Sequence, residues 1–219
     1  MCTFYKKSYP LILLLILVCS CSQDETSYLT ELCVVKERGN KSLYLFTDDG
    51  NVLSPSTSLD FSKYSEGERY RVTYIKMKSN VSSSKESLIE IQYMLPVLIK
   101  DAIPRKDFST KMKDPIWLTG QPWFGGGFLN FEFSFGFEKQ EIKHGIFLVQ
   151  DSSVYKKDVN KIYLSFGHDA NKDASRIMAT ALASFPVNSI SDIKNADSLI
   201  INVLEGSEHR IYKMAVNKD

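Results

Sequence analysis

Phe128-Leu129-Asn130-Phe131-Glu132-Phe133-Ser134-Phe135-Gly136-Phe137 is the stretch whose period decides the fold. From Phe131 onward every second residue is phenylalanine, and Glu132, Ser134 and Gly136 stand between. Side chains alternate faces along a strand, so this is a strand with one buried aromatic face. A slip of one residue would expose all four rings and bury Glu132, which pins the register.

Working outward, Gly145 to Gln150, Lys161 to Phe166, Met178 to Phe185, Ser198 to Leu204 and Arg210 to Val216 read as further strands. Glu205-Gly206-Ser207-Glu208 is the hairpin turn between the last two. Only Ser189 to Ala196 invites a helical turn. Trp123-Phe124-Gly125-Gly126-Gly127 leads into the aromatic strand; no Lys-Ser/Thr follows, so the glycines make a turn or bulge, not a phosphate loop. This spacing predicts an antiparallel β-sandwich over residues 116–219.

The preceding half is also strand-like. Leu29 to Lys36, Ser42 to Thr47, Val52-Leu53, Arg69 to Met77 and Ser87 to Ile99 are short strands, the last interrupted by Pro96. Asp48-Asp49-Gly50-Asn51 is a hairpin signal, because Asp-Gly suits the positive φ angles of a tight turn. These strands suit a small OB-like Greek-key barrel over 31–100. Asp101 to Pro115 is charged, holds two prolines and lacks a period, so it reads as the linker (101–115). The expected class is all-β, barrel then sandwich.

The first residues are of another kind. Lys6 and Lys7 precede the apolar run Leu11 to Val18. Crossing a bilayer takes roughly 20 apolar residues, so this run is the core of a secretory signal peptide, residues 1–20. Val18-Cys19-Ser20-Cys21 resembles the lipobox of bacterial lipoproteins, which implies cleavage before Cys21 and a diacylglycerol on its sulfur. Cys19 is the rival acceptor, but it would put branched Val18 in the small-residue position. Residues 21–30 are polar and acidic, the composition of a solvated tether. Ser22 and the Gln23-Asp24-Glu25 cluster resemble signals for the outer membrane and its outward-facing leaflet.

The chain has 27 basic and 26 acidic residues, and Lys6 and Lys7 leave with the leader. Near neutrality without a basic stripe argues against a nucleic-acid partner. Of four cysteines, Cys2 and Cys19 are removed and Cys21 takes the lipid. Cys33 then stands alone in Leu32-Cys33-Val34-Val35, a small buried hydrophobe with no disulfide to make.

Tyr44-Leu45-Phe46-Thr47-Asp48-Asp49-Gly50-Asn51-Val52-Leu53 and Tyr64 to Tyr74 resemble the N-terminal part of the NigD-like lipoproteins. Phe128-Leu129-Asn130-Phe131, His144 to Val149 and Leu164-Ser165-Phe166-Gly167-His168-Asp169-Ala170-Asn171 resemble its C-terminal part. The resemblance spans nearly the whole mature chain and implies an OB-like barrel followed by a β-sandwich. It implies no catalytic residues. The chain departs from the family's pattern at Gly167, where a basic residue is common. The family's link to bacteriocin production makes a bacteriocin-associated accessory role the weaker alternative.

Candidate sites are few. Trp117, Trp123 and Phe124 are the binding candidates, since exposed aromatic faces stack on sugars and fill partner pockets. Asp169, Asn171 and Asp173 have the spacing that opens an EF-hand calcium loop. Ala174 then replaces its glycine and Thr180 its glutamate, so a polar turn is the plainer reading. His144 and His168 with a carboxylate make a zinc set, though without close pairing in sequence. His209 reads as solvated. Glu132, Glu138 and Glu141 read as surface charge rather than a glycosidase pair. The expected function is a non-catalytic binding or accessory lipoprotein with no cofactor, whose partner is a glycan, a peptide or an envelope protein. The alternative is a lipid-anchored hydrolase with an unrecognised acid pair or metal.

Overall fold

A computed structural model describes residues 27–39, 42–60, 62–77, 85–109, 112–151 and 160–216. Cys21 and the leader lie outside these. The first five strands are β1 (Tyr28–Glu37), β2 (Leu43–Thr47), β3 (Val52–Pro55), β4 (Arg69–Lys76) and β5 (Glu86–Pro96). They close into a barrel in the order β1-β2-β3-β5-β4. Gly50, at a φ of 80°, turns the β2–β3 hairpin as Asp-Gly predicts. Cys33, Val35, Leu45, Leu53, Val72, Tyr74 and Ile89 fill the interior. Burial pushes the Cys33 thiol up to about 12, so it packs as an inert hydrophobe.

Ten more strands follow: β6 (Leu98–Ile99), β7 (Ile103–Pro104), β8 (Trp117–Leu118), β9 (Trp123–Gly125), β10 (Phe128–Phe137), β11 (Gly145–Gln150), β12 (Lys161–Asp169), β13 (Ile177–Pro186), β14 (Ser198–Glu205) and β15 (Glu208–Ala215). They form two facing sheets, β6-β13-β10-β8 with β9 beside β10, and β15-β14-β12-β11-β7. Leu129, Phe131 and Phe133 of β10 meet Leu148, Phe166 and Val203 of the other sheet in the core between them. The Phe131 and Phe166 rings stack with centroids 4.1 Å apart.

Two expectations need correction. The sandwich is mixed, since β12 pairs parallel to β14, β11 to β7 and β13 to β6. After β12 the chain crosses to β13 in the opposite sheet. It returns through 3-10 turns at Val187–Ser189 and Ile193–Asn195, so β14 lies beside β12 in the same direction. The 101–115 stretch is not a free linker either. Ile103–Pro104 is hydrogen-bonded beside β11, and Leu98–Ile99 already lies beside β13. A two-residue strand ending in proline carries no readable period, which is why composition there reads as a linker.

The sandwich carries the barrel on the other face of β10. Arg69 is fully buried there, and Arg71 pairs with Glu132. Glu132 is therefore a partner between the two parts, not free surface charge. The Gly126-Gly127 turn of the β9–β10 hairpin, with φ of 59° and 83°, rests against Asp48 of the barrel. A side chain at Gly126 would collide with that carboxylate.

Phe133 is 1% exposed, while Ser134 points to the opposite face. Phe133→Ala should cost about 3–5 kcal/mol, a large part of a domain's stability. Calorimetry should show a sharp fall in melting temperature for Phe133→Ala and little change for Ser134→Ala. Equal, small shifts would contradict the assignment of the core.

Candidate functional site

The two sheets part at the Phe137 end of β10 and leave a cleft of about 340 Å³. One wall is built from cross-strand neighbours. Phe133 lies opposite Ala181, Phe135 opposite Ala179 and Phe137 opposite Ile177. Each large ring thus faces a small or peripheral residue, and the two alanines leave the space unfilled. Ile142, His144 and Ile146 form the other wall, Leu98 closes one side, and Lys139 and Gln140 stand among the lining residues. The cleft is aromatic and aliphatic with few polar groups.

Behind Phe135 lies a chain of hydrogen-bonding groups. His144 Nδ1 is 2.8 Å from His168 Nε2, and His144 Nε2 is 3.1 Å from Asp173 Oδ2. His168 Nδ1 is 3.3 Å from the Pro115 carbonyl oxygen. The Phe135 ring packs on both imidazoles, with centroids 5.2 and 5.4 Å away. Asp173 Oδ2 accepts the backbone N–H groups of Glu138 and Lys139, and Oδ1 accepts that of Ala174. Those donors, with His144, hold its carboxyl down to about 2.

Counting protons defines this chain. Both ends, the carboxylate and the carbonyl, only accept, so three hydrogen bonds need three N–H groups. Two neutral imidazoles supply two. The third proton makes the pair a cation. Burial lowers the His168 pKa. With both rings neutral, the long link to Pro115 is the one left without a proton.

The residues singled out from sequence fall in several places. His144 and His168 do meet, and with Asp173. Their nitrogens face each other at hydrogen-bond distance, however, and among the described residues no three His, Cys, Asp or Glu side chains could hold a metal ion. Asp169 accepts the Asn171 N–H in a local turn, while Asp173 points to Glu138, Lys139 and His144. The calcium-loop spacing therefore does not converge. Trp117, Trp123 and Phe124 are all half-buried and none lines the cleft; Phe124 packs on the sandwich core. His209 bonds Asn202 at 3.1 Å. At Gly167 a Cβ would lie 2.6 Å from Met112, so the family's basic residue would displace that side chain. Sequence reasoning missed Ala179 and Ala181; their alternation with Ala183 was the available signal.

The family model described as the NigD-like C-terminal beta sandwich domain matches residues 101–216. Among solved structures, a protein of Parabacteroides distasonis described as toxin-related is 22% identical, covers 88% of this chain and 95% of its own, and superposes with a TM-score of 0.70. A Bacteroides fragilis protein described as a lipoprotein is 9% identical, with 87% and 99% covered and a TM-score of 0.66. A NigD-like immunity protein from Bacteroides caccae is 19% identical, with 85% and 91% covered and a TM-score of 0.60. At these identities the likeness is one of fold. No curated protein matches the chain.

The Asp173 carboxyl is lowered from 3.8 to about 2, so its stabilisation is fully present above the higher value and is lost as pH falls through the lower one. Asp173→Asn should therefore melt at a lower temperature than the parent at neutral pH. The gap should close as the pH falls from about 4 to about 2. A gap that does not change with pH would contradict this role for the carboxylate.

Proposed function

This chain belongs to the family built on the NigD-like C-terminal β-sandwich domain, and we propose that it is a lipid-anchored outer-membrane protein that works by binding. The observation that carries the reading is the cleft between the sheets, lined by Phe133, Phe135, Phe137 and Ile146 and left open by Ala179 and Ala181. A concave apolar site with few polar groups suits an apolar group better than a sugar, whose hydroxyls need several partners. Among the partners considered, a peptide segment of another envelope protein fits best.

The polar groups near the cleft support binding over catalysis. The Asp173–His144–His168 chain ends on a backbone carbonyl, where a nucleophilic triad would present a hydroxyl or thiol. The acid-pair reading weakens as well, since Glu132 is paired with Arg71 and Glu138 with Arg176. Support for the anchor comes from Cys21 in its lipobox-like setting and from the resemblance in fold to a protein described as a lipoprotein. β1 begins at Tyr28, paired with Ile75, while its Val34 lies beside Arg69 and the sandwich. β1 thus starts at an end of the barrel away from Arg69, and the cleft lies at the Phe137 end of β10, away from Arg69.

Two measurements test this reading. Cys21→Ala should abolish incorporation of a clickable fatty acid and release the protein from the membrane fraction; normal labelling would contradict the acceptor. A fluorescent aryl dye should bind the mature chain in the cleft. Ala179→Phe, which puts a ring into that space, should weaken dye binding by about tenfold or more, the loss expected when an apolar site is filled. Undiminished binding by Ala179→Phe would move the site elsewhere.

A further inference from the structure

β13 has two different edges. One pairs with β10 along all ten residues, and the other meets β6 only at Ala183 and Ser184. Lys100 N–H donates to the Ser184 carbonyl at 3.2 Å, so the backbone groups of Ser184 point to the β6 side. Alternation along the strand turns those of Leu182, Thr180 and Met178 the same way. Among the described residues nothing pairs with them there. Ile177 and Met178 are more than half exposed.

Folded proteins blunt such edges with charge, proline or cover. The edge strand β15 carries Glu208, Arg210 and Lys213. On β11, Lys100 Nζ caps the Ile146 carbonyl at 3.0 Å. Ile177 to Phe185 reads Ile-Met-Ala-Thr-Ala-Leu-Ala-Ser-Phe, with neither charge nor proline. The open half of this edge also borders the cleft, whose lining includes Ala179, Ala181 and, from β6, Leu98.

We propose that the open edge of β13 receives an extended segment of a partner protein as an added strand, with alternate bulky apolar side chains filling the cleft. This deepens the binding reading and rests on it. β6 already shows the seating: it runs parallel to β13, and Leu98 reaches the cleft. A guest strand in line with β6 would hydrogen-bond to Met178, Thr180 and Leu182 and set every second side chain between Ala179 or Ala181 and Ile146. Backbone pairing then supplies affinity, and the cleft supplies selection. A second copy of the chain does not serve, because its β13 offers two methyl groups to a space of about 340 Å³. The chain's own tether does not serve either, since Ser22-Gln23-Asp24-Glu25-Thr26-Ser27 is polar throughout. The occupant is a segment alternating leucine, isoleucine or phenylalanine with polar residues.

The test uses the mature chain with Cys21→Ser and a labelled peptide alternating leucine with threonine, followed by fluorescence anisotropy. A second peptide of the same sequence is N-methylated at alternate residues along the pairing edge. The first peptide should bind, and the second at least about tenfold more weakly, because it cannot donate to the edge. Thr180→Pro removes an N–H from the open side without touching the backbone hydrogen bonds to β10, at the cost of the exposed Thr180–Ser134 hydroxyl contact, in a place where an edge strand tolerates proline. It should weaken peptide binding by about tenfold or more while leaving the aryl dye bound. Equal binding of both peptides, or an unaffected Thr180→Pro, would overturn strand addition. Dye bound but no peptide bound would overturn it too, with the cleft reading intact. Neither dye nor peptide bound would remove the cleft reading itself.

Discussion

Everything about the relation between barrel and sandwich depends on one buried cation. The Arg69 guanidinium has no exposed side-chain surface and meets Asp48 at 2.6 Å, Ser184 at 3.0 Å and Asn130 at 3.2 Å. The Phe128 ring lies 4.5 Å below it. Asp48 and Arg69 come from the barrel, and Phe128, Asn130 and Ser184 from the sandwich. Removing a charge from water costs several kcal/mol, offset by good geometry and hydrogen bonds. Here the Arg69 Nη2 and Nε groups are bonded, while Arg69 Nη1 and Asp48 Oδ1 are buried with no hydrogen-bond partner among the described residues. Arg69 obtains its partners only when both parts are folded and docked. Gly125 and Gly126 leave the room that Asp48 needs.

That clamp also explains why the sandwich is open at its other end. Val97 N–H donates to the Arg69 carbonyl at 2.9 Å, just where the chain leaves the barrel. From that fixed point the chain reaches β13 only at Ala183 and Ser184, so β6 is two residues long. Among the described residues the remainder of the β13 edge has no strand beside it. The Arg69 contacts to Asn130 and Ser184 and the cleft at Phe133 to Phe137 thus occupy opposite ends of the same two strands. The barrel is held at one end, and the β13 edge at the other is unpaired among the described residues. The buried His144–His168 pair stiffens the cleft wall there, because Phe135 packs on both rings and Asp173 ties them to the Glu138–Lys139 turn.

Much of this was legible in the sequence where the signal is local. The alternating phenylalanines, the Asp49-Gly50 turn and the Glu205–Glu208 hairpin each act over a few residues. Both turns form as read, and Phe131 and Phe133 are buried in the core, whereas Phe135 and Phe137 on the same face are half-buried and line the cleft. Contacts that join distant residues left no such trace. Arg69 reaches Asn130 and Ser184 across 61 and 115 positions, and His144 reaches Asp173 across 29. No period or motif encodes those separations. The parallel pairings and the short strand Ile103–Pro104 left no trace for the same reason. Trp117, Trp123 and Phe124 stand out in the sequence because they are large and aromatic, yet none lines the cleft. Space, however, is made by small residues, and Ala179 and Ala181 are informative only once Phe135 and Phe133 are known to lie opposite them.

The central claim is that the open end of the sandwich is where this protein meets its partner. Methyl NMR of alanine-labelled mature chain, titrated with the leucine–threonine peptide, tests it most directly. Ala179 and Ala181 lie opposite Phe135 and Phe133, so their methyl resonances report any change in packing within the cleft. Large shifts at Ala179 and Ala181, with Ala196 in the far core unmoved, are the result this account predicts. Shifts absent at both alanines, while residues elsewhere respond to the peptide, would contradict it.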